Sequence, residues 1–196
     1  MTELLLAETV PDDGRVLVLG AGGGLELAVF ADAHPAWRFV GVDPSAEMLA
    51  LARATLGGRA SRVELHEGYI DTAPEGPFDG ATCLLTLHFL DAAERLRTMQ
   101  ALRRRLRPGA PFVVAHHSFP QGAADKTRWL ERYAAFAASS GVDATHARNA
   151  IEAIGRRLPT LDPDADVALM REAGFERIEL FYAAFTFRGW VAYAPT

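Results

Sequence analysis

The stretch Arg15 to Gly24, RVLVLGAGGG, limits the folds open to this chain more than any other. Val16, Leu17, Val18 and Leu19 suit a strand covered on both faces, and four glycines within five positions follow directly. The next residues, LELAVFADAHP, place apolar side chains at helical spacing. The order is strand, glycine turn, helix. In that setting Gly20 and Gly22 permit positive φ and close approach of a ligand, and the following helix offers unpaired N–H groups. About 20 residues on, the strand FVGVD ends in Asp43, where a pair of ribose hydroxyls would find its acceptor.

The rest of the chain repeats this alternation. Thr2 to Thr9 reads as a short helix, and Pro11 to Gly14 as the turn that leads into the first strand. Pro44-Ser45 opens a helix that Gly57-Gly58 ends, and Arg62 to Glu67 forms a third strand. Phe78 to Thr86 is a continuous apolar run, so a fourth and central strand. Asp91 caps a helix that Pro108-Gly109 stops, and PFVVAHH is the fifth strand. Residues 123 to 157 are helical in pattern, too long for a simple connection, and read as an insert beside the ligand crevice. Pro163 opens a last helix, ended by Gly174, and two closely joined antiparallel strands finish the chain. The predicted fold is α/β: a Rossmann-like, doubly wound sheet of about seven strands, mostly parallel with one antiparallel C-terminal strand. A helical insert at about 123–160 precedes the last helix, and residues 1–196 form one domain.

Bulk properties exclude several partners. A net charge of −5 and a pI near 5.7 give no general attraction to nucleic acid or to an anionic membrane. The cluster Arg103, Arg104, Arg105 and Arg107 closes a helix, where cations are expected. The single cysteine, Cys83, has apolar neighbours and reads as a core residue, and a reducing cytoplasmic setting fits. No segment has the length and apolarity of a membrane span, and none has the form of a signal peptide. The six histidines have no metal-binding spacing, so no metal is expected.

Taken in order, LGAGGG, VGVD, EGYID, FDGATCLLTLHFL, LRRRLRPGAPFVVAHH and REAGFERIELFYAAF resemble the class I S-adenosylmethionine-dependent methyltransferases over nearly the whole chain. TLHFLDAAER and AGFERIELFYAAFTFRGWVA look most like the carboxy-S-adenosylmethionine synthase branch and its small-molecule methyltransferase relatives. The resemblance implies S-adenosylmethionine as cofactor. It sets the methionine moiety against the backbone of Gly20, Ala21 and Gly22, and the ribose against Asp43. It also implies Pro44 and Met48 beside the adenine, Tyr69 and Ile70 at its amine and ring nitrogen, and Leu84 to Leu87 under the sulfonium. Arg148 matches, in the insert, an arginine that meets the extra carboxylate of a carboxylated cofactor. Val18 stands where the family often has an acid facing the cofactor's ammonium group, and Tyr69 where many members have aspartate.

Methyl transfer from a sulfonium is an in-line displacement, so holding the reactants aligned matters most, with a base needed only to remove a proton. His88 and His117, just past the fourth and fifth strands, are the candidate catalytic bases. The expected activity is methyl transfer to a small-molecule hydroxyl, amine or carbon acceptor. A carboxy-S-adenosylmethionine synthase-like enzyme and a non-catalytic S-adenosylmethionine-binding protein are the alternatives. Leu84-Leu85-Thr86-Leu87 lacks the Asn-Pro-Pro-Tyr type of sequence used on nucleic-acid amines, and Leu25 stands where a dinucleotide fingerprint needs its third glycine. Either the helical insert or a second subunit is expected to cover the site, and a homodimer through the insert is expected.

Overall fold

A computed structural model describes residues 1–196. Its elements run α1 (Thr2–Ala7), β1 (Arg15–Leu19), α2 (Leu25–Ala33), β2 (Arg38–Asp43), α3 (Ala46–Leu56), β3 (Val63–Glu67), β4 (Gly80–Leu84) and α4 (Ala92–Arg104). The second half runs β5 (Pro111–His117), α5 (Ala123–Ser139), α6 (Ala144–Arg157), α7 (Pro163–Glu172), β6 (Glu176–Ala184) and β7 (Phe187–Tyr193). The seven strands form one sheet in the order β3-β2-β1-β4-β5-β7-β6. β7 alone runs against its neighbours, pairing antiparallel with both β5 and β6, as the sequence predicts.

Both faces of the sheet are covered, and β1 shows why its sequence is a continuous apolar run. Leu17 and Leu19 pack with Met99 and Leu102 of α4 and Met170 of α7, whereas Val16 and Val18 pack with Leu6 of α1 and Leu27 and Phe30 of α2. The insert is a hairpin of α5 and α6 closed over its own small core of Phe119, Leu130 and Ile154. Helix ends follow local chemistry. Ser45 caps α3, Asp91 and Glu94 form a capping box on α4, and Pro163 occupies the first turn of α7.

The fourth strand is shorter than the run Phe78 to Thr86 suggests. Phe78 leaves the sheet ladder to bridge Leu106, and Leu85 takes a φ of 57°, which no continuing strand allows. The chain therefore turns sharply at the carboxyl end of β4, in the middle of the sheet. No helix is long and apolar enough to cross a membrane.

Candidate functional site

The strand order reverses between β1 and β4, and a cleft of about 680 Å³ opens at the carboxyl ends of the strands there. Its floor comes from strand ends: Leu19 and Gly20 after β1, Val42, Asp43 and Pro44 after β2, and Gly68 to Asp71 after β3. Thr86, Phe89 and Leu90 follow β4, and Glu94, Arg97 and Thr98 of α4 form the far wall.

Backbone hydrogen bonds fix the glycine turn to the end of β2. Gly20 N–H and Ala21 N–H both donate to the Val42 carbonyl, at 2.8 and 3.0 Å. Gly22 N–H donates to Asp43 Oδ2 and Ser45 N–H to Asp43 Oδ1, each at 2.9 Å. Asp43 is thus oriented from both sides before any ligand arrives, and each carboxylate oxygen keeps capacity for a second donor from the cleft. Gly20 is required sterically. Its φ is 78°, and a Cβ there would lie 2.0 Å from Thr86 Oγ1, so the Thr86 side chain closes onto the bare turn.

Of the residues predicted for the cofactor, Gly20, Asp43, Pro44, Tyr69 and Ile70 line this one cleft. Met48 lies beside it, its Cε 3.7 Å from where a Cβ on Gly22 would stand. Ala21 turns its methyl into the core and offers only backbone.

Four of the predicted residues lie away from this cleft. Leu84 is still paired to Ala115 within the sheet and does not line the cleft; the turn at Leu85 brings Thr86 to that place instead. Arg148 sits on exposed α6, in a groove between α5 and α6 with Lys126 and Glu152, because the insert closes on its own core and not over the cleft. His88 and His117 are buried and do not line the cleft either. The His117 backbone N–H donates to His88 Nδ1 at 3.3 Å, which puts the ring proton of neutral His88 on Nε2 and makes that nitrogen a donor. Burial, followed by the neighbouring His117 and His116, pulls His88 down to about 3; burial and His116 pull His117 down to about 4. Both rings are neutral at neutral pH. They belong to an aromatic wall that runs from Phe89 through His88 and His117 to Phe187 and Tyr133, with successive centroids 4.1 to 5.6 Å apart.

Behind this wall, Arg95, His116 and Asp166 form a sealed charge cluster. Arg95 Nη1 donates to Asp166 Oδ1, and His116 Nε2 lies 3.2 Å from Asp166 Oδ2. Burial alone would raise the Asp166 carboxyl, but His116 and Arg95 outweigh it and hold it below the usual range. Arg95 Nη2 also donates to the Leu90 carbonyl at the cleft and to the Pro159 carbonyl at the exit of the insert.

The sequence reading included Thr86 but missed Phe89, Leu90 and the α4 wall. A signal for the wall was present: with Asp91 as cap, Glu94, Arg97 and Thr98 share one helical face directly after β4. Glu26 was also missed, since an acid in the first turn of a helix normally reads as a partner of the helix dipole. Its Oε1 accepts from the Thr82 hydroxyl at 2.6 Å, and burial pushes its carboxyl up to about 7 against the opposing effect of that hydrogen bond.

Residues 16–109 match the model of a methyltransferase domain. The chain is 28% identical to a carboxy-S-adenosyl-L-methionine synthase of Chromohalobacter salexigens over 87% of this chain, and it spans 64% of that relative's length. It is 34% identical to a trans-aconitate 2-methyltransferase of Azoarcus sp. over 56% of this chain and 42% of that protein. Among solved structures, the S-adenosylmethionine-dependent methyltransferase SibL superposes with a TM-score of 0.70 at 19% identity, covering 100% of this chain and 55% of SibL.

Proposed function

We propose that this chain, which by fold and by the methyltransferase domain of residues 16–109 belongs to the class I S-adenosylmethionine-dependent methyltransferases, binds S-adenosylmethionine in the cleft and methylates a small-molecule acceptor. The observation that carries the reading is the clamped carboxylate of Asp43 beside a glycine turn that has no room for a side chain. A diol placed over Asp43 finds an acceptor already oriented, so little reorganisation opposes binding. Pro44, Tyr69 and Ile70 offer apolar surface to a flat base, and Gly20 with Thr86 borders the path away from it. When bound, the cofactor supplies an electrophilic methyl group on sulfur.

The residues of this chain contribute alignment. Leu85, exposed and held at positive φ, and the short turn Leu87–Phe89 set Phe89 over the cleft, and its ring is the surface against which a small acceptor lies. Because neither histidine opens on the cleft, the reading assigns no proton transfer to them. Phe89, the one member of the wall that lines the cleft, suits a flat acceptor.

The carboxy-S-adenosyl-L-methionine synthase relatives favour a second reading, in which the bound cofactor carries an additional carboxylate. Arg148 lines a separate groove between α5 and α6, and Arg97 is the only cationic side chain that lines the cleft. Mass spectrometry of the small molecule released from denatured protein tests both readings. S-adenosylmethionine or its demethylated product supports the first, a carboxylated cofactor supports the second, and an unrelated nucleotide overturns both. A screen of flat hydroxyl and amine acceptors with labelled S-adenosylmethionine then tests the transfer itself.

A further inference from the structure

Glu26 is a half-buried carboxyl that no structural partner fully uses. It is the second residue of α2, immediately after the glycine turn, and it reaches across to β4, where Thr82 Oγ1 donates to Oε1 at 2.6 Å. No donor meets Oε2, and Oε2 is not among the sealed unpartnered atoms of the protein, so this oxygen opens to the surface. No lysine, arginine or histidine forms an ion pair with it, whereas the buried acid Asp166 is ion-paired with Arg95 and lies 3.2 Å from His116 Nε2. A carboxyl placed this way is costly unless a cationic donor arrives.

Topology says where such a donor comes from. Thr82 pairs in register with Val18, two residues before Gly20, and lies four residues before Thr86, which borders the cleft. Glu26 therefore stands under the glycine turn at the seam between β1 and β4. An adenosine group held by Asp43, Tyr69 and Ile70 occupies the β2–β3 side, and whatever is attached to its 5′ carbon leaves toward that seam. On the reading of the cleft given above, the attached group is an amino acid bearing a primary ammonium.

We propose that Glu26 is the anionic partner of that ammonium group, with Thr82 holding the carboxyl in place from β4. Val18, level with Thr82, is apolar and buried, so β1 itself provides no acid in this layer. Of the titratable groups on the elements around α2, Cys83 on β4 is a thiol whose pKa burial pushes up, and Asp43 on β2 is oriented by Gly22 and Ser45 toward the ribose side of the cleft. On α3, Glu47 lies in the first turn and Arg53 in the last, and Arg59 and Arg62, just beyond α3, engage Asp32 and the carbonyls of Ala31, His34 and Trp37 at the far end of α2.

The test is calorimetric titration of the full-length protein and its Glu26→Gln variant with S-adenosylhomocysteine and with 5′-methylthioadenosine, which lacks the amino acid. The expected result is a loss of about tenfold or more for S-adenosylhomocysteine in the variant, with 5′-methylthioadenosine within about twofold of wild type. Equal affinity of variant and wild type for S-adenosylhomocysteine, or equal losses for both ligands, overturns the assignment. Should the wild type bind neither ligand, the cofactor reading itself falls. A second readout needs no variant: between about pH 5.5 and 7.5 the wild-type affinity for S-adenosylhomocysteine rises about tenfold as the carboxyl ionises, while that for 5′-methylthioadenosine stays flat. A flat or falling profile for S-adenosylhomocysteine contradicts the proposal.

Discussion

The two sides of the sheet treat their polar groups in opposite ways. On the β1–β3 side, Asp43 is gripped by backbone N–H groups and faces an open cleft, and Glu26 keeps one oxygen free at the surface. On the β5–β7 side, His88, His116, His117, Arg95 and Asp166 are all buried, and the contacts they make go to one another, to the Thr186 hydroxyl and to carbonyls of packed elements. The first arrangement keeps acceptor capacity for something that is not protein. The second uses it up in tying α4, α7 and the insert to the sheet. Polar residues near the carboxyl ends of the strands are thus not one site but a receptor and a brace, joined where Arg95 holds the Leu90 carbonyl at the cleft wall.

The brace breaks first. Asp166→Ala leaves the Arg95 guanidinium buried without its anion, and the expected cost is about 3 to 5 kcal/mol in chemical unfolding. Unchanged stability in that variant contradicts a structural role for the cluster. On the receptor side the effect is smaller and of another kind. Gly20→Ala must move Thr86 or the turn, and ligand affinity should fall about 10- to 100-fold while far-ultraviolet circular dichroism stays native. Equal ligand affinity in this variant denies the turn its place in the site.

Acid sharpens the same contrast more gently. His88 and His117 are depressed in the folded state to about 3 and about 4, from about 6.5 unfolded, so their contribution is complete above about pH 6.5 and is lost as pH falls toward those values. Glu26 acts oppositely: raised to about 7, it lowers stability as pH rises from about 4.5 to 7. Two histidines outweigh one glutamate across the shared window. Urea unfolding should therefore give lower stability at about pH 5 than at pH 7, and replacing both histidines with asparagine should flatten or reverse that trend. Equal stability of the unmodified protein at both values contradicts the burial of the two rings.

The receptor was far more legible in the sequence than the brace. Its parts are local: a strand end, a glycine turn and a single acid 21 residues after Gly22 carry their meaning in short spacings, and Gly20, Asp43, Pro44, Tyr69 and Ile70 meet in one cleft as expected. The seven-stranded order with its one antiparallel strand was readable for the same reason, because each β–α unit announces itself by period and by its caps. The brace is assembled from residues 71 positions apart, such as Arg95 and Asp166, and nothing in either neighbourhood marks them as partners. Position at a strand end made His88 and His117 look catalytic, but a strand end beside a packed insert is interior. Arg148 failed for a similar reason: its helix belongs to a hairpin with a separate core, so resemblance along the chain did not fix its place in space. Glu26 was hidden because its meaning depends on Thr82, 56 residues later.

The measurement that bears most directly on this account is calorimetric titration of S-adenosylmethionine into the wild-type protein and into Asp43→Ala. Removing the carboxylate takes away the ribose acceptor and also frees Gly22 N–H and Ser45 N–H, so the account predicts clear binding to wild type and a loss of about 100-fold or more in the variant. Absence of binding to the wild type, or equal binding to a folded Asp43→Ala protein, would contradict a cofactor site built on Asp43.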